Sequence, residues 1–354
     1  MLALAYTAQQ KLDLAQKEYE SIVRINPNDI AALGSLADLF VVQEKMSEAV
    51  TIYEKLVEKE KNSSLLYFNL GLIYSRMGKF DRALESFNKA VEIEPDYLEA
   101  LIAVGVLCEI KKDSSGAISA FERALKIDPL DAKTYYSLAG LYYRTKRIDD
   151  ASRQYQSLVK LNPKDPEAYV EWAGMYIGAK RPKDALGVLN RALSEGIKDT
   201  EVYLALGYSY GETADNDSAM KYYNMALETG PADAKVHFHL AVQYDKMKDR
   251  LTAQKELRET IRLDPTYGDA YNYLGYMFAD DSVNLYEAVS LIKKALSLDP
   301  DNGAYIDSLG WAYFQKGMTA EALTELEKAA RLDPNDPEIK GHLKKARERL
   351  KNKK

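Results

Sequence analysis

One string in the sequence has the form of a catalytic motif. Gly207, Ser209 and Gly211, interleaved with tyrosines, match the Gly-x-Ser-x-Gly elbow that presents a nucleophilic serine. That chemistry needs a sharp strand-to-helix turn, which holds the serine hydroxyl out toward a substrate. Here Gly207 and Tyr210 fall on a helical apolar stripe, so Ser209 is expected in mid-helix and the match reads as coincidence. His237 and His239 are the next candidates, but two residues apart they leave a helix on different sides, whereas metal-binding histidines on a helix need i, i+4 spacing. His237, on the stripe, reads as a packed residue. The single cysteine, Cys108, has no intramolecular disulfide partner and leaves the redox compartment open. No strand is predicted, so no glycine-rich phosphate loop can follow one. The expectation is therefore no catalytic residue, no cofactor and no metal: not an enzyme.

Charge gives a second candidate chemistry. Residues 337–354 carry 8 Lys+Arg against 2 Asp+Glu, while residues 1–336 carry 40 against 52. A basic tail ending KKARERLKNKK has the composition that touches nucleic acid or anionic lipid. The acidic body would repel a phosphate backbone, and the cations suit the C-terminal dipole of a solvated helix. No nucleic-acid partner is expected, and no apolar run reaches membrane-spanning length.

The elements that position these residues follow from an internal period. Stepping by 34 from Ala15 reaches Ala49, Ala83, Ala117, Ala151, Ala185, Ala219 and Ala253; a step of 35 reaches Ala288, and 34 more reaches Ala322. Pro27, Pro95, Pro129, Pro163, Pro231, Pro265, Pro300 and Pro334 hold the same register. Within residues 64–97, Tyr67, Leu70, Gly71 and Tyr74 make the stripe of a first helix, Gly78 breaks it, and Ala83, Phe87 and Ala90 make the stripe of a second that Pro95 stops. A small residue recurs at the position of Gly71, where it lets the two helices approach closely. Larger residues such as Tyr53, Phe87, Phe121, Tyr155 and Tyr223 are expected to fill the space between pairs. Helices this short are marginal alone, so each pair needs its neighbours.

This Tyr/Leu/Gly/Tyr set followed by Ala, Phe and Pro resembles the Trp/Leu/Gly/Tyr, Ala, Phe and Pro signature of the tetratricopeptide-repeat (TPR) superfamily, over nearly the whole chain. The fold expected is all-α: a right-handed TPR superhelix, an α-solenoid of helix-turn-helix repeats with a C-terminal capping helix. Residues 1–336 form the array, with a partial unit at 1–29 and full units starting at 30, 64, 98, 132, 166, 200, 234, 268 and 303. Residues 337–354 form the cap and basic tail, with Ile339, Leu343, Ala346 and Leu350 on its apolar side. Residue 1 falls inside a unit that lacks a cap, which reads as a chain shortened upstream.

The resemblance implies a concave face lined by first helices, with the residues one and five places after the opening stripe element turned into it. Those positions hold Phe68, Leu72, Ile102, Val106 and Tyr136, then Tyr208, Phe238, Tyr276 and Trp311, with Asn272 and Asp307 among them. The expected function is a scaffold or adaptor binding partner proteins or peptide segments there. The Lys/Asn pair with which some TPR co-chaperones hold a C-terminal carboxylate is absent from every unit. Residues 270–317, with Asp301, Asn302, Gly303, Asp307, Ser308, Leu309, Gly310 and Trp311, resemble the closing repeats of bacterial envelope TPR adaptors of lipoprotein type. That likeness implies a bacterial, periplasmic or outer-membrane-associated protein with a protease and its substrates as partners; without an upstream signal the location would be cytoplasmic. The alternative is a regulatory or substrate-recruiting arm of a larger enzyme whose other domain lies upstream.

Overall fold

A computed structural model describes residues 2–230 and 233–352. Pro231 of the proline series and the last two lysines of the tail lie outside the described residues. Among those described there are 21 helices and no strand. They cluster into two compact units, residues 1–163 and 164–354.

The first unit holds α1 (Leu2–Ala8), α2 (Leu12–Ile25), α3 (Ile30–Val42), α4 (Met46–Lys59), α5 (Ser64–Arg76), α6 (Phe80–Ile93), α7 (Leu98–Ile110), α8 (Ser114–Ile127), α9 (Ala132–Arg144) and α10 (Ile148–Leu161). The second holds α11 (Pro166–Gly178), α12 (Pro182–Ser194), α13 (Thr200–Glu212), α14 (Asn216–Thr229), α15 (Ala234–Lys246), α16 (Arg250–Leu263), α17 (Gly268–Asp280), α18 (Leu285–Leu298), α19 (Gly303–Gln315), α20 (Thr319–Leu332) and α21 (Pro337–Lys351). Within each unit an odd-numbered helix packs on the even-numbered helix that follows, and each such hairpin packs on the next.

The local chemistry of each boundary is visible. Two residues after most of the periodic prolines stands an N-cap: Asp131, Asp165, Asp233, Asn302 and Asp336 each accept a hydrogen bond from an amide in the first turn of the next helix. Between the two helices of a hairpin, one residue adopts positive φ at the same 34-residue spacing, from Glu44 through Gly78 (+71°), Lys112, Lys146, Lys180, Ala214 and Lys248 to Ser282. Gly78 is a breaker as expected, but most repeats hold the left-handed turn with a residue that favours it less. The packing of the hairpin fixes the turn, not the glycine. The extra residue of the 35-residue step is absorbed at Asn284, a second left-handed residue just before α18.

The core follows the period. All ten alanines from Ala15 to Ala322 have no accessible surface. A Cβ added to Gly71, Gly105 or Gly207 would stand 2.6 Å from the ring of Phe87, Phe121 or Tyr223 respectively. These large side chains therefore press on the small residue of their own hairpin, rather than filling only the space between hairpins. Contact this close makes the small residue obligatory wherever a ring faces it.

Candidate functional site

Ser209 lies inside α13 with no accessible surface and is not presented on a turn. His237 Nδ1 is 2.6 Å from Glu256 Oε2 on α16, whereas the His239 ring meets Tyr208 edge-on at 5.8 Å and lies parallel to Tyr223. The two histidines do leave the helix on different sides. Burial pushes His239 down to about 4, with Lys235 adding to the effect, so the imidazole is neutral at neutral pH. Cys108 is buried, and burial raises its thiol. Among the described residues no group of three or more His, Cys, Asp or Glu could hold a metal ion, and no helix is long and apolar enough to cross a membrane.

The residues named for the concave face lie on first helices. In the first unit Leu72 and Val106 are open, 39% and 45% exposed, while Phe68, Ile102 and Tyr136 are partly buried. Phe68 owes its burial to aromatic neighbours, with Phe87 at 5.5 Å and Tyr97 at 5.0 Å between ring centres. A cavity of about 100 Å³ opens beside Leu72, between α3 and α5, lined also by Asp38, Tyr53 and Asn69. The Tyr53 hydroxyl donates to Asp38 and accepts from Asn69 Nδ2, so the polar floor of this cavity is already paired. A broader cleft of about 760 Å³ lies around Glu54, Tyr74, Arg82 and Lys89. Within it Arg82 pairs with Glu54 and Lys89 with Glu92, while Glu85 also lines the wall.

In the second unit Tyr208, Phe238 and Tyr276 are partly buried. Phe238 packs on Tyr267 and Tyr273 at 5.1 and 6.3 Å. Trp311 differs from the expectation of an open position: it is 6% exposed. The His342 ring of α21 stacks on its indole at 4.1 Å, and the Lys345 ammonium stands 4.8 Å from its centre. Spacing along the repeats could not reveal this, because the covering helix lies outside the repeat.

The covering helix also accounts for much of the basic tail. Ile339, Leu343 and Ala346 are buried as expected, whereas Leu350 is exposed at 36%. Arg347 pairs with Glu327 at 2.9 Å, and Arg349 Nη1 donates to the Phe314 carbonyl at 2.6 Å while its guanidinium lies over the Phe314 ring. Beneath it, His342 Nδ1 is 2.9 Å from Asp307 Oδ2, each side chain 7% exposed. Desolvation raises the Asp307 carboxyl, and the His342 contact opposes that rise.

Tetratricopeptide-repeat family models match residues 1–64, 64–97, 110–170, 200–232 and 284–350. Together with the all-helical repeat architecture, they place the chain in the tetratricopeptide-repeat superfamily, in general a non-catalytic protein-interaction fold. A curated relative, the TPR repeat-containing protein PA4667 of Pseudomonas aeruginosa, is 40% identical over 88 residues; these are 25% of this chain and only 15% of that protein. Among solved structures, a chain of the APC/C hetero-tetramer Cut9–Hcn1 is similar with a TM-score of 0.53 at 13% identity, covering 97% of this chain and 95% of that one. A chain of the Naa15/Naa10 complex bound to HypK-THB gives 0.51 at 17% identity, covering 99% of this chain and 65% of the other. These structural likenesses show the fold alone.

Proposed function

We propose that the chain is a non-catalytic scaffold that binds apolar segments of partner proteins along the faces of its first helices, as an array of nine full units preceded by a partial one. The observation that carries this reading is the exposure of Leu72 and Val106 on the first helices α5 and α7, Leu72 also bordering a cavity. Large apolar side chains left open on such helices suit contact with an apolar partner surface. Fully burying one such side chain contributes about 1.5–3 kcal/mol, so several anchors reach the roughly 8 kcal/mol of micromolar binding once association costs are met. An extended peptide or one face of a helix fits such a surface.

The finer reading, an envelope adaptor that brings substrates to a protease, draws on the 270–317 stretch alone. A second reading, a recruiting arm within a larger protein, draws support from PA4667, in which the matched stretch is a small part of a longer chain.

The test is affinity capture from the native organism with the wild-type chain and with Leu72→Asp/Val106→Asp. Both side chains are already open, so helical content by circular dichroism should hold while the captured partner is lost. Undiminished capture by the double variant would refute the reading.

A further inference from the structure

Within the second unit, α17, α19, the end of α20 and the start of α21 border an open cavity of about 230 Å³. Four carboxylates line it, Asp307, Asp333, Asp336 and Glu338, and no basic side chain does. Two of the four are engaged. Asp336 Oδ1 caps α21 by accepting from the amides of Glu338 (2.8 Å) and Ile339 (3.0 Å), and Glu338 Oε1 accepts from the Tyr276 hydroxyl at 2.5 Å. Asp307 is different. It is 5% exposed, Oδ2 faces His342, and Oδ1 is buried with no hydrogen-bond partner. Asn272 Oδ1, on the same cavity wall, is also buried without one.

A wall with two unpartnered acceptors, a surplus of negative charge and no basic side chain is complementary to a planar cation. The guanidinium supplies five N–H donors in a fixed fork, carries its charge at every physiological pH and stacks on aromatic rings such as those of Tyr273 and Tyr276, which border the cavity. The end of α21, whose dipole would oppose a cation, is offset by the Asp336 cap and by Glu338.

We propose that this cavity binds the guanidinium of an arginine side chain in a partner's peptide segment, with Asp307 and Asn272 as its acceptors. Asn272, Tyr276 and Asp307 are positions that the TPR resemblance assigns to the concave face, so the proposal rests on the reading of that face and names the chemistry of its C-terminal end. The ligand this end selects is basic, whereas the open Leu72 and Val106 select an apolar one.

The test titrates the full chain with N-acetyl-L-argininamide and with the isosteric, neutral N-acetyl-L-citrullinamide, followed by heteronuclear NMR. The arginine compound should shift resonances of α17 and α19, and the citrulline compound should bind at least about tenfold more weakly, as loss of one charge-assisted contact requires. Asp307→Asn should weaken the arginine compound by at least about tenfold. Because this variant also touches His342, Asp333→Asn in the exposed turn serves as a second, and should weaken binding severalfold with the fold unchanged. Equal affinity for the two compounds, or no saturable shift, would mean that the cavity holds only water and would overturn the proposal. An unchanged affinity in both variants would do the same. Leu72→Asp/Val106→Asp should leave argininamide binding intact, which separates failure of this site from failure of the wider face.

Discussion

Replacing Gly105 and Gly34 by alanine, one at a time, should stabilise only at Gly34 although both glycines lie inside first helices of the same unit. Alanine gains about 1 kcal/mol over glycine in a helix interior. At Gly34 nothing lies within 4 Å of the added Cβ, so that gain should be realised nearly in full. At Gly105 the Cβ would stand 2.6 Å from Phe121 Cε1 and 2.8 Å from Cδ1, where carbon atoms prefer about 3.5–4.0 Å. Phe121 is 1% exposed, so the ring can yield only by displacing its packed neighbours. Overpacking of this kind costs about 1–3 kcal/mol, which leaves Gly105→Ala between neutral and about 2 kcal/mol destabilising. The two variants should therefore differ by about 1–3 kcal/mol. Urea denaturation followed by circular dichroism reads the difference. Amide exchange in α7 and α8 localises it, which matters because long repeat arrays need not unfold in one step. If Gly105→Ala raises the midpoint as much as Gly34→Ala does, the close approach of α7 to α8 is not what the glycine serves.

Two further predictions concern the second unit. His239 is held near 4 in the folded chain against an ordinary 6.5, so the unfolded chain binds the extra proton between those values. Its contribution, at most about 3 kcal/mol, is full above pH 6.5 and is lost as pH falls toward 4. His239→Phe should flatten the fall in urea midpoint between pH 7 and 4.5, and an unchanged slope would assign it to other groups. Ending the chain after Asp336 should red-shift the emission of Trp311, read in a Trp172→Phe background, because α21 is what shields the indole. An unshifted spectrum would show that the last hairpin buries Trp311 unaided.

Much of this protein was legible in its sequence, because the helix pair is a local object. A 34-residue period set by alanines that all prove fully buried, together with prolines two residues ahead of capping aspartates, specifies where each helix begins, which side faces its partner and how close the two can come. The same locality placed Ser209 within a helix and separated His237 from His239. What tertiary structure decided are contacts between residues that no period relates. His342 lies 35 residues from Asp307 but on a helix outside the repeat, and its docking buries Trp311, occupies one Asp307 oxygen and leaves the other without a partner. Burial and hydrogen-bond satisfaction depend on every neighbour at once. Residue types and spacing alone could therefore put Trp311 and Asp307 on one face, and only the packed chain could close the first and leave the second lining a cavity.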